Sequence, residues 1–152
     1  PKGNPLKIFD FSDVTLPSAF RPEEARYVER FITYAEAKDG VLYVAFGHRT
    51  YSASSKGDNA HILAIDIDKG SILWQSNPLV SNARNFMIVG DIIISGYGFT
   101  KERDYIFQLN RHSGRVIQRH SLRKAPERFA TTKPGLLHVR THDSNILFQL
   151  TQ

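Results

Sequence analysis

The sequence has no cysteine, one tryptophan and one methionine. The lack of cysteine excludes disulfides, thiolate metal sites and a cysteine nucleophile, and it leaves the redox compartment open. No stretch approaches the roughly 20 apolar residues of a membrane-spanning helix. The chain opens with "PKGNPLKIF", not with the charged stretch and apolar run of a targeting signal, so a soluble chain is expected. There is no basic tail and no arginine-rich run. The net charge of +5 arises from 20 Lys+Arg against 15 Asp+Glu scattered along the chain, and the pI near 9.6 follows from it. This is a mildly basic surface, not the footprint of a dedicated nucleic-acid binder. Nucleotide motifs are missing as well: "GYGFTK" from Gly96 lacks the third glycine and the following helix of a dinucleotide fingerprint, and no G-x-S-x-G or phosphate-loop sequence occurs.

What is present is a chain of 152 residues, 41% hydrophobic, long enough for one compact core, and it repeats. Glycine-led apolar runs recur as "GVLYVAF" from Gly40, "GDIIISG" from Gly90 and "GLLHVRT" from Gly135, spaced 50 and 45 residues apart. Each is followed by a second strand-like run: "ILAID" from Ile62, "IFQLN" from Ile106 and "LFQLT" from Leu147. After the first two come a turn and a further run, "IDKGSILWQS" and "RHSGRVIQRH", so that Asp66 matches Asn110 and Gly70 matches Gly114 at a constant offset of 44. Before the glycine-led runs lie "RFITYAEA", "NFMIV" and "RFATT". Each unit is thus four short strands at a period of roughly 40 to 50 residues, the signature of a β-propeller blade. The expected fold is all-β, a single β-propeller segment over residues 1–152. Its four-stranded antiparallel blades fall near residues 30–76, 85–120 and 128–152, with an N-terminal strand at 6–11.

Ala64, Asp66, Gly70 and Trp74 occur at the spacing A-x-D-x-x-x-G-x-x-x-W. This resembles the docking motif of the PQQ-like, quinoprotein-type propeller repeat family. The resemblance implies a glycine that permits the tight hairpin, an aspartate hydrogen-bonded within it, and a tryptophan packed between adjacent blades. It also implies a periplasmic or secreted location. The motif departs from the family at Lys69, where threonine is usual. In the second unit Gln108, Asn110, Gly114 and Gln118 take the corresponding places, so the small residue and the tryptophan are lost.

The third unit ends at its third strand, whereas "LKIFDF", Leu6 to Phe11, has no partners before it. A fourth strand at the front is therefore expected to pair beside Asn145 to Leu150. Three blades are too few for a ring of 4 to 8. The expected solution is a homodimer forming a six-bladed ring, closed within each chain or by exchange of the N-terminal strand. The alternative is a piece of a longer propeller chain.

The variable segments join the second to the third strand of each unit, and the fourth to the first of the next. In a propeller both emerge on one face, where insertions carry binding function. "PEEARYVE" in the first such connection should form a helical turn, with Pro22 at its first position. The loops present His48, Arg49, Tyr51, Lys56 and His61; then Tyr97, Phe99, Lys101, Arg103 and Asp104; then Arg84 and Asn85; and then Arg123, Lys124, Arg128, Arg140, His142 and Asp143. This cationic and aromatic set suits an anionic small ligand or an acidic protein surface. Against sharper chemistry, "DIDKG" at Asp66 lacks the oxygen ligands of a calcium loop. His138 and His142 would stand about 13 Å apart on a strand, too far to share one zinc. The expectation is a non-enzymatic interaction module with no catalytic residues, metal or cofactor. The alternative is a quinoprotein-like oxidoreductase or other small-ligand enzyme with a site in the propeller channel, although the larger chain and the vicinal disulfide that the resemblance implies for PQQ and calcium are missing.

Overall fold

A computed structural model describes residues 7–11, 21–29 and 31–150. Three antiparallel sheets follow one another along the chain. The first is the meander β1 (Phe31–Lys38), β2 (Val41–Gly47), β3 (His61–Asp66) and β4 (Ile72–Gln75). The second is β5 (Met87–Val89), β6 (Ile92–Tyr97), β7 (Tyr105–Asn110) and β8 (Val116–Ser121). The third is β9 (Pro126–Lys133), β10 (Leu136–Thr141) and β11 (Asn145–Gln149). Two short 3-10 turns precede β1 and β3, at Pro22–Tyr27 and Ser52–Ser55, the first with proline at its start.

The sheets stack face to face as consecutive propeller-like blades, because the second strand of each is apolar on both faces. Along β2, Tyr43 and Ala45 point into a core shared with Ile93, Phe107 and Leu109 of the second sheet, while Val44 and Phe46 point the other way. Along β6, Ile93 joins that first core, and its neighbour Ile94 packs with Phe129, Leu137 and Val139 of the third sheet. A strand with alternate residues buried in two different cores cannot show a polar face, which explains "DIIIS". The third strand of the first sheet, β3, shows no alternation either. His61 to Ile65 are all buried, since this strand too is covered on both sides.

The first two sheets are pinned together at the end that carries the tight turns. Gly70 and Gly114 close equivalent turns with φ of 72° and 69°, and each donates its N–H to the residue four before it, Asp66 or Asn110, at 2.8 Å. The indole of Trp74 reaches across to the second of these turns. Its ring covers Gly114, where a Cβ would lie 2.7 Å from Cζ3, and its N–H donates to the Arg111 carbonyl at 3.2 Å. Arg111 itself, 8% exposed, reaches Asp39 of the first sheet at 2.6 Å and Asp91 of the second at 3.3 Å. Between the second and third sheets the pattern changes. Gln118 pairs with Gln108 where Trp74 pairs with Ala64, and a cleft of about 360 Å³ opens beside both glutamines and His120.

The outer face of the first sheet is covered by the N-terminal segment. Phe9 and Phe11 pack on Val44, Phe46, Leu63 and Ile65, and the Lys7 ammonium donates to the carbonyls of Ile67 and Asp68. This corrects the expected pairing with the third sheet of the same chain. Leu6 lies outside the described residues, Lys7–Phe11 form no strand, and β11 has no ladder partner on its outer edge among the described residues. Nor do the three sheets close into a ring. Phe9 and Phe11 side chains find a fully apolar sheet face to bury against, whereas β11 alternates exposed and half-buried residues and offers less.

Candidate functional site

The long connections do gather at one end of the stacked sheets, but they use several of the candidate residues internally. In the first loop the Asn59 side chain closes the chain on itself: its Oδ1 accepts the His48 N–H at 2.7 Å, and its amide donates to the His48 carbonyl at 3.2 Å. The His48 ring is buried, 2.7 Å from the Ser55 hydroxyl. Loss of water around it pushes the imidazole below its ordinary pKa, against the smaller upward pull of Glu102 and Asp58. His61 is buried as well. It contacts the Ser76 carbonyl at 3.0 Å and Asp58 at 2.7 Å, and it stacks on Phe46.

Tyr97 likewise points inward. Its hydroxyl donates to Glu102, whose other oxygen accepts both the N–H and the hydroxyl of Ser52 at 2.8 Å. Burial, and then the neighbouring carboxylate, push the phenol well above its ordinary pKa. Glu102 thus ties the second loop to the first, and the edge contact of Tyr51 with Phe99 at 5.0 Å adds a second tie. The Asp104 carboxyl is raised by burial despite Lys124 nearby. The sequence does not single out Glu102, Ser52 or Asn82, because their bonds join segments that meet only in the fold, Glu102 with Ser52 and Asn82 with Gly98, nor Asn59, whose bonds to His48 close a single loop.

His48, His61 and Tyr97, expected to face a partner, therefore serve the internal structure of the loops. The remaining candidates stay at the surface. Arg49 lies over the Phe31 ring, 3.3 Å from its centre. Arg84 is exposed, and its backbone N–H is held by the Glu127 carbonyl at 2.8 Å. Beside it, the Asn85 amide pairs with both backbone groups of Phe129. His142 stands 3.7 Å from Glu127.

The cations are divided among clefts instead of forming one patch. Arg49 and Arg84 line a cleft of about 530 Å³ between the first and second sheets. Arg103 lines a neighbouring one with Arg119, and Arg123 with Lys124 lines another beside Asp143. Arg84 also borders a shallow cleft with Arg128, His138 and Arg140. Lys101 is exposed at the tip of the second loop. Among the described residues none of Arg49, Arg84, Lys101, Arg103, Arg123, Lys124 and Arg128 makes an ion pair. Three carboxylates of the same loops are engaged: Asp58 by His61, Glu102 by Ser52 and Tyr97, and Asp143 by Thr141 and Ser144.

At the opposite end, Asp66 is a turn residue. Its carboxylate accepts the Lys69 N–H at 2.9 Å, which holds its pKa below the usual range. Among the described residues no three His, Asp or Glu side chains are grouped as metal ligands, and no helix is long and apolar enough to cross a membrane.

No family model matches the chain, and no curated protein matches it. Among solved structures it is similar to the computationally designed Ika4 protein, with a TM-score of 0.53 and 13% identity, over 79% of this chain and 66% of that one. BamB from Moraxella catarrhalis superposes with a TM-score of 0.48 at 14% identity, over 74% of this chain and 41% of that one. A designed Ika8 protein superposes with a TM-score of 0.39 at 12% identity, over 78% and 46%. The chain therefore spans less than two thirds of these proteins' lengths, and at such identities the likeness to Ika4 speaks for the fold alone.

Proposed function

We propose that this chain is a non-enzymatic interaction module of the PQQ-like propeller type that binds an anionic partner through its long-loop face. One observation carries the reading. On that face the carboxylates of Asp58, Glu102 and Asp143 are engaged within the protein, while Arg49, Arg84, Lys101, Arg103, Arg123 and Arg128 have no ionic partner among the described residues. Uncompensated cations spread over one face attract anions and accelerate their encounter, in a salt-dependent way. The test is binding of an oligoglutamate peptide. Saturable binding that weakens with salt, and is lost in the triple variant Arg49→Glu, Arg103→Glu, Arg123→Glu with its fold intact, is the expected result. Equal affinity for the triple variant overturns the reading.

The same proposal includes a second copy that completes the ring. Lys7 donates to the carbonyl of Ile67 just as the Trp74 indole donates to the carbonyl of Arg111, the equivalent turn position one blade on. Lys7–Phe11 thus lies where the outer strand of a preceding blade would lie, and β9–β11 of a second copy would supply the other three strands. Light scattering is expected to give a dimer, and deletion of residues 1–11 to dissociate or aggregate it. A well-folded monomer of 17.3 kDa at every concentration overturns this part.

A further inference from the structure

The cleft between Arg49 and Arg84 differs from the others on the loop face. One wall is Phe31 with the Arg49 guanidinium held over it, and Phe99 forms part of the other. The remaining polar side chains are mostly committed. The Thr33 hydroxyl donates to the Ala45 carbonyl at 3.2 Å, the Asn82 amide pairs with both backbone groups of Gly98, and His48 is held by Ser55. Ser81 is the exception. It is 1% exposed, lines the cleft, and its hydroxyl has no hydrogen-bond partner. An orphaned buried hydroxyl is costly, and native structures keep few of them.

We infer that this cleft is a binding site for a small organic carboxylate with an aromatic or apolar body. The two guanidiniums supply forked, charge-assisted donors that match a carboxylate. Ser81 supplies a neutral donor at the buried end, and Phe31 and Phe99 cover the apolar part of the ligand. A volume of about 530 Å³ fits a molecule of that size. A strongly hydrated inorganic anion would leave the aromatic walls unused. The inference rests on the reading of the loop face as anion-binding and narrows it to one cleft.

The probes are benzoate, its neutral analogue benzamide, and inorganic phosphate, titrated into the full chain and followed by amide chemical shifts. Benzoate is expected to give saturable shifts confined to residues 47–50 and 81–84. Benzamide and phosphate should bind at least about tenfold more weakly, and Arg84→Gln and Arg49→Gln should each lower benzoate affinity about tenfold or more. Ser81→Ala should weaken benzoate binding and at the same time raise the melting temperature, because it removes a buried orphan. Equal binding of benzamide, shifts located elsewhere, or unchanged affinity in both arginine variants overturns the inference. Oligoglutamate separates it from the broader reading. If the peptide binds and benzoate does not, the cleft assignment fails alone. If benzoate binds as described and the peptide does not, the acidic-surface reading fails and the cleft stands.

Discussion

The indole of Trp74 sits on the α-carbon of Gly114, one blade away, and is held there by a hydrogen bond to the Arg111 carbonyl at 3.2 Å. The two positions are complementary: only a residue without a side chain leaves room for the ring, and a φ of 69° independently favours glycine there. Trp74→Ala is expected to cost about 3 to 5 kcal/mol in denaturant unfolding. Gly114→Ala should cost more than about 1 kcal/mol, and less in the Trp74→Ala background, where the collision is gone. Strict additivity in that double-mutant cycle would deny the contact. Gly70→Val should likewise destabilise its turn, and normal stability would argue against the strained φ.

Arg111 predicts an electrostatic dependence at the turn-bearing end. Its guanidinium bridges Asp39 and Asp91 from neighbouring blades, so Arg111→Met should destabilise more than Asp39→Asn or Asp91→Asn alone. The Arg111–Asp39 coupling, measured by a double-mutant cycle, should shrink in 1 M salt, since Asp39 is exposed. No coupling at low salt would reduce the bridge to a surface coincidence.

His48 predicts a pH dependence. Burial lowers its folded-state pKa, so below about pH 6.5 the unfolded chain takes up a proton that the folded imidazole resists. The unfolded state then binds more protons, and stability falls as pH drops below about 6.5 toward the folded pKa, while above about pH 6.5 the contribution is flat. Urea midpoints between pH 5 and 8 should show this slope, and His48→Gln should reduce it. An identical slope in the variant would assign it to other groups.

Phe9 and Phe11 cover Val44, Phe46, Leu63 and Ile65. Replacing both with alanine should uncover that face, raise the binding of a hydrophobic dye and promote aggregation. A soluble variant with unchanged dye binding and melting would show that the face is protected in another way.

Much of the fold is legible in the sequence because it is local. The Asp66–Gly70 and Asn110–Gly114 turns depend on residues four apart, and runs such as "DIIIS" have nowhere to go but between two other sheets. The loop face is legible too, since insertions reveal themselves by length. The division of labour within it is not. His48, His61 and Tyr97 carry the same side chains that would serve a binding surface, and only the arrival of Ser55, Asp58 and Glu102 from other parts of the loops turns them inward. Ser81 gives no sequence signal at all: a serine in a connecting segment becomes notable only when burial removes its water.

The sequence by itself determined the repeating unit, the strand order within each sheet and the turns that join them, because backbone conformation and alternation of polarity act over a few residues. Tertiary structure alone decided which blade face the N-terminal aromatics cover, that Gln118 in place of tryptophan leaves a cleft, and that Arg49 and Arg84 share a cavity with an unsatisfied hydroxyl. Those outcomes depend on desolvation and steric fit between segments dozens of residues apart, and such terms have no value until the segments meet.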